Sequence, residues 1–228
     1  MKIKKKTFYK SLIVLVVFVG TLFLINLLTN GSRNNDLSIF EDSSLFPSLG
    51  SNSENIVIEF SDFQCPWCTI ASGIPNWTKE MAETNSNVAS ALGVSNKAKE
   101  MAESEKIKFI YVPMSFLGEE SVNAAEASLC AKEQEKFWQM HDAIFAASTG
   151  PEENVGRYSK GNLKIIAQGV SGLDRSQFAK CLDNSEMRSK VNEITNTANK
   201  FATSTPTFFV NGKKIGASEL KDELNLIA

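Results

Sequence analysis

The chain has 228 residues, 43% of them hydrophobic and 22% charged, with a formal net charge of −2 at pH 7. That is the composition of an ordinary globular protein, with room for one sizeable core plus accessory segments. With the five N-terminal lysines set apart, 19 basic residues face 26 acidic ones, about −7 in all, which argues against nucleic acid as a partner.

Residues 1–10 carry Lys2, Lys4, Lys5, Lys6 and Lys10, and an uncharged run rich in Leu, Ile, Val and Phe follows from Ser11 to Leu28. The run is 18 residues long, above the roughly 7–15 of a signal-peptide core and within the roughly 17–25 that span a bilayer. Thr29-Asn30-Gly31-Ser32-Arg33 then offers no small-residue cleavage site. A single transmembrane signal-anchor is expected at 11–28; a cleaved signal, giving a secreted or periplasmic protein, and a buried core helix are the alternatives. Lysines stay on the cytoplasmic side, so the rest of the chain is expected outside the cytoplasm, held at the cell membrane. Lys221-Asp222-Glu223-Leu224 resembles a retention signal but is followed by four residues, and such an address is read only at the terminus.

Residues 29–50, rich in Ser, Asn, Asp and Gly, read as a linker whose end can already be structured. Asn55 to Ser61 is β-branched and aromatic on both faces apart from Glu59, which predicts a strand covered on both sides. After Cys68 a helix is predicted to about Glu83, interrupted by Gly73 and Pro75. A polar stretch follows, with a short helix near Lys97 to Glu103. Lys106 to Val112 reads as a second strand, ended by Pro113. From Ser121 to Phe201 apolar residues recur at helical spacing: Phe137, Met140 and Ile144; Leu163 and Ile166; Met187, Val191, Ile194, Ala198 and Phe201.

Thr207 to Val210 and Lys213 to Gly216 flank Asn211-Gly212, the dipeptide suited to a type I′ hairpin turn. A closing helix begins near Ser218. The order predicts an α/β domain in two parts, 51–113 and 203–228, interrupted by an all-helical insertion at 114–202.

Cys65-Pro66-Trp67-Cys68 sits where the first strand meets the first helix. A thiol at a helix start faces unpaired backbone N–H groups that favour its anion, and its pKa is expected to fall below about 8.5. Pro66 suits the first helical position. Cys68 lies one turn on, within disulfide range. A redox dithiol is therefore expected, against half of a zinc site or a purely structural bridge. Cys130 and Cys181 lie 51 positions apart and the only histidine, His141, falls in an amphipathic run, which makes a poor second half for zinc. No metal and no cofactor is expected.

Ile58-Glu59-Phe60-Ser61-Asp62-Phe63-Gln64 leading into that motif, together with Ser204-Thr205-Pro206-Thr207-Phe208-Phe209-Val210-Asn211-Gly212, resembles the DsbA-like thiol:disulfide oxidoreductases over roughly residues 48 to 228. Ala124-Ala125-Glu126-Ala127, Phe137-Trp138 and the Leu173 to Leu182 stretch are similar to that family's helical insertion. The resemblance implies a thioredoxin-like fold, Pro206 as a cis-proline facing the active-site sulfurs, and Thr205 as a backbone contact for substrate and for Cys65. It implies that Glu59 is the acid beneath the active site, where desolvation would raise its pKa and fit it to relay a proton to Cys68. Cys130 and Cys181, one at each end of the lobe, are expected to form a structural disulfide.

The resemblance further implies reduced exported proteins as substrates and a DsbB-like or vitamin K epoxide reductase-like membrane partner for reoxidation. The expected activity is disulfide donation. Isomerase or reductase chemistry with the same thiols is the alternative, and a non-catalytic peptide-binding or chaperone module is the alternative of another class. The stretch from Cys68 to Lys106 is longer than is usual in that family, Trp67 stands where the best-known oxidant has histidine, and Thr205 also occurs in the isomerase branch.

Overall fold

The computed structural model describes residues 37–50 and 53–227; the basic start and the apolar run at 11–28 lie outside them. Among the described residues no helix is long and apolar enough to cross a membrane.

Five strands form one mixed sheet: β1 (Ser48–Leu49), β2 (Ile56–Asp62), β3 (Lys108–Met114), β4 (Thr207–Val210) and β5 (Lys213–Ile215), in the order β1-β3-β2-β4-β5. β2 is the middle strand, parallel to β3 and antiparallel to β4. Its neighbours explain the apolar residues on both of its faces, since each face meets a separate layer. On one face Val57, Phe109, Phe208 and Val210 pack with Ala71, Val94, Ala98, Leu220 and Leu224. These come from α1 (Pro66–Ser72), α4 (Val94–Glu103) and α10 (Ala217–Ile227). On the other face Phe60 meets Phe40 at 4.9 Å and Phe209 at 5.5 Å between ring centroids.

Between α1 and β3, α2 (Asn76–Thr84), α3 (Ser86–Ala91) and α4 fill the long connection. The sequence pattern showed only part of this. α3 exists because the Asn85 side chain accepts from the backbone N–H groups of Asn87 and Val88, at 3.0 and 3.3 Å, satisfying the orphan donors of a first turn. α4 starts at Val94 rather than near Lys97, because Gly93 with φ of 71° turns the chain there. Gly73 has φ of 63°, and a Cβ on it would sit 2.7 Å from the Gly93 Cα, so only glycine allows the end of α1 to touch the start of α4.

The regular structure of the insertion is helical: α5 (Glu119–Lys132), α6 (Phe137–Ala146), α7 (Lys160–Ile166), α8 (Arg175–Asp183) and α9 (Arg188–Ala198), with a non-helical loop over 147–159. Cys130 in α5 and Cys181 in α8 are joined by a disulfide. The hairpin turn has Asn211 at φ 49° and Gly212 at φ 83°, the two positive values a type I′ turn requires.

Two boundaries differ from the sequence reading. β3 runs through Pro113, which stands opposite Ser61. The Tyr111 N–H donates to Pro47 on the β1 side; the proline nitrogen two residues on faces the same side, beyond the end of β1, where no ladder bond is lost. The linker is also shorter than residues 29–50. β1 pairs with β3, and Phe40, fully buried, makes edge contacts with Phe46, Phe60 and Phe201 near 5 Å. The polar composition of this segment concealed two anchoring aromatics.

Phe40→Ala is accordingly expected to cost about 3–5 kcal/mol, the range for truncating a buried aromatic, read as a lower midpoint in urea denaturation. A cost below about 1 kcal/mol would make residues 37–49 the end of a tether after all.

Candidate active site

β2 buries three polar side chains, Glu59, Ser61 and Asp62, and then hands the chain to the motif. Asp62, buried at its end, accepts through Oδ1 from the Gln64 N–H at 2.9 Å and the Ser121 hydroxyl at 2.7 Å. Its Oδ2 accepts from the Phe116 N–H at 3.1 Å and the Leu117 N–H at 3.4 Å. Burial raises the Asp62 pKa and these hydrogen bonds oppose the rise. Gln64 continues the network: Nε2 donates to Leu117 O and Ser121 Oγ, and Oε1 accepts from the Asn154 N–H at 2.7 Å. The turn before Cys65 is thereby bolted to the first helix and a later loop of the helical lobe.

Cys65 is the N-cap of α1, with Pro66 entering the helix behind it. Cys65 is 7% exposed, and its Sγ donates to the Thr205 carbonyl oxygen at 3.3 Å. The Thr205-Pro206 peptide is cis, and β4 begins at Thr207. The Cys65 pKa is lowered from 9.0 to about 7, chiefly by the Cys68 thiol donating to it, with further help from Thr205 and the backbone N–H groups of Cys68 and Trp67; burial opposes. Cys68 is fully buried, and desolvation, then the neighbouring Cys65 sulfur and Glu59, push its pKa well above 9.0. Both thiols are free. Cys65, the less deeply buried of the two, is therefore half-ionised near pH 7, and Cys68 holds its proton.

Glu59 is 1% exposed in the middle strand, not at a solvated edge. Desolvation raises its pKa from 4.5 to about 7, and the Cys65 charge adds to the rise. The Ser95 and Ser61 hydroxyls lie close enough to lower it, yet neither closes a hydrogen bond of normal geometry among the described residues. Tyr111 faces Glu59 across the β2–β3 pair. Burial, then Glu59, pushes the Tyr111 phenol well above 10.0, so it stays a donor.

Ser61, Ser95, Tyr111 and the Asp62–Gln64 network escaped the sequence reading. Only Ser61 and Asp62, on the same strand as Glu59, carried a local signal; Tyr111 and Ser95 required the strand register and the packing of α4. Beside Cys65, Trp67 is 45% exposed and lines a groove of about 400 Å3 with Asn87, Ser90, Thr205, Pro206 and Ser218. The opposite wall, α3, belongs to the long connection between α1 and β3. Cys130 and Cys181 lie in the core of the lobe and are already paired with each other.

A family model described as Thioredoxin matches residues 49–227. A curated relative, the probable disulfide bond formation protein D of Bacillus anthracis, is 23% identical over 208 residues, covering 89% of this chain and 84% of the relative. The oxidised crystal structure of BdbD from Bacillus subtilis superimposes with a TM-score of 0.61 at 23% identity, over 82% of this chain and 92% of that one. A thioredoxin-like oxidoreductase from Silicibacter pomeroyi DSS-3 gives 0.59 at 25% identity, over 84% and 96%.

A buried carboxyl whose folded pKa exceeds its unfolded value favours the folded state most below the unfolded value, and that advantage is lost as pH rises through the folded one. For Glu59 the window runs from 4.5 to about 7. Glu59→Gln is therefore expected to stabilise the protein by about 3 kcal/mol at pH 8, a gain that shrinks to nothing below the window. Urea denaturation at pH 4, 6 and 8 checks this; an unchanged difference across the three would place Glu59 in a solvated setting.

Proposed function

Since the chain belongs to the thioredoxin family and is a DsbA-like thiol:disulfide oxidoreductase, we propose that it donates disulfides to exported proteins from the Cys65–Cys68 pair. The observation that carries this reading is the asymmetry of the two sulfurs. A substrate thiolate attacks Cys65 Sγ of the oxidised pair, the Cys65–Cys68 bond breaks, and Cys68 departs as a thiolate. A sulfur with so high a pKa leaves poorly unless it gains a proton. Glu59, protonated below about 7, is placed to supply one.

A second substrate thiolate then attacks the substrate sulfur of the mixed disulfide and expels Cys65, whose anion is the stabilised one. The substrate gains a disulfide and the protein holds the two electrons. Thr205 and Pro206 present backbone to the client beside Cys65, and Trp67 offers an exposed aromatic face in the groove. The disulfide between Cys130 and Cys181 is structural, holding the lobe's helices together.

Reoxidation calls for a membrane partner of the DsbB or vitamin K epoxide reductase type, and the sequence at 11–28 supports an anchor that would keep both proteins at the outer face of one membrane. A second reading, isomerase or reductase, draws support from the moderate pKa of Cys65: about 7 matches thioredoxin rather than the extreme oxidant, at about 3.5.

Cys68→Ser expressed in the native host is expected to accumulate mixed disulfides at Cys65, released by reductant and consisting of exported clients and a membrane oxidant. Cys65→Ser is expected to trap nothing and to abolish disulfide transfer. Full activity of Cys65→Ser would instead make the chain a binding or chaperone module.

A further inference from the structure

Beneath the motif four buried polar atoms, Glu59 Oε2, Ser61 Oγ, Ser95 Oγ and Tyr111 Oη, close no hydrogen bond among the described residues. They converge. Glu59 and Tyr111 are direct partners across β2 and β3, and Ser61, two residues on, shares their face. Ser95 reaches the same spot from α4, close enough for its hydroxyl to act on the Glu59 carboxyl. Buried polar groups are almost always satisfied by protein or by ordered water, and three hydroxyls around one carboxyl offer a water the two to four partners it needs.

Ser95 has a second side. With Ser72, Asn96, Lys99, His141 and Asp142 it lines a small cleft of about 10 Å3, room for about one water. Asp142, its side chain 40% exposed, is bonded to Lys99 and shares a 2.8 Å hydrogen bond with His141 Nδ1. Ser95 thus stands between the enclosed acid and a cleft edged by a part-exposed carboxylate.

We propose that Ser95 is a positioning residue for proton transfer, its hydroxyl and the two flanking waters carrying protons between Glu59 and the Asp142–His141 cleft. The proposal rests on Glu59 serving Cys68. For each Cys68 thiolate released, Glu59 gives up one proton and regains one from the inner water; that water takes one from the Ser95 hydroxyl, and Ser95 takes one from the outer water, which is replenished from solvent. The ionisable groups facing this route are Cys65 and Cys68 from α1, Tyr111 from β3, Asp62 from β2, Lys99 from α4, and His141 and Asp142 from α6. In the oxidised protein Cys65 and Cys68 are bonded and do not titrate. Burial lowers the His141 pKa and raises that of Tyr111, which leaves the carboxyl of Glu59 as the group near neutrality.

The test compares Ser95→Ala, Ser95→Thr and Glu59→Gln in the full chain, measuring stopped-flow disulfide transfer to a reduced cysteine peptide from pH 5 to 9 and iodoacetamide alkylation of Cys65. Ser95→Ala is expected to slow transfer on the order of tenfold and to move the Glu59 inflection upward from about 7, because a hydroxyl that lowers it is gone. Cys65 alkylation in Ser95→Ala should stay within about twofold, because Ser95 is not among the groups that set the Cys65 thiolate, and Ser95→Thr should restore transfer, because it keeps the hydroxyl.

The proposal is overturned if Ser95→Ala transfers at the wild-type rate, if it slows alkylation as much as transfer, or if threonine fails to rescue. A Glu59→Gln protein that transfers normally would remove the role of Glu59 itself. A slow Glu59→Gln with a normal Ser95→Ala would remove Ser95 alone.

Discussion

Glu59 and Cys68 are both buried, close enough for the charge of Glu59 to act on the thiol, and neither can be charged there without cost. In water a glutamate would be ionised at neutral pH and a thiol protonated; enclosed together, the acid is held near neutrality and the thiol far above it. Desolvation acts on both in the same direction. The consequence falls on the third member. Cys65, at the rim of this enclosure, collects the hydrogen bonds of Cys68, Thr205 and two backbone N–H groups, and becomes the sulfur that reacts.

The rest of the fold serves that arrangement. A strand covered on both faces is what allows an acid to be buried at its centre, and β2 is covered because a helical layer lies on one side and the Phe40, Phe60, Phe201 and Phe209 rings lie on the other. The Asp62–Gln64–Ser121–Asn154 bonds fix the turn that aims Cys65. The Thr205 carbonyl accepts from the same sulfur while it is protonated. The Cys68 thiol and the backbone N–H groups of Cys68 and Trp67 stabilise the thiolate, and such contacts have no equal in the disulfide, so they tilt the pair toward the dithiol. The tilt is moderate, since the Cys65 pKa falls only to about 7.

Much of this was legible in the residues. The strand at Val57 to Phe60, the hairpin at Asn211-Gly212 and the helical lobe each follow from local pattern: continuous β-branched runs, a dipeptide tolerant of positive φ, and apolar residues at three- and four-residue spacing. The motif and its chemistry followed from two cysteines one turn apart. What stayed hidden depends on pairing between distant segments. Tyr111 reads as one more aromatic in a strand until register sets it opposite Glu59, and Ser95 reads as surface until α4 turns it inward. Pro113 looked like a strand end because a missing N–H matters only when a neighbour waits for it. Phe40 and Phe46 were masked by the serines and acids around them.

The direction of electron flow depends on how much better the site holds two thiols than one disulfide. Equilibrating the purified protein with defined ratios of reduced and oxidised glutathione, and following the Cys65–Cys68 pair by alkylation and mass spectrometry, measures that difference directly. Disulfide donation predicts a potential on the oxidising side of about −200 mV, toward the range of protein disulfide isomerase and DsbA. A potential near about −270 mV, that of thioredoxin, would contradict it and make the same site a reductase.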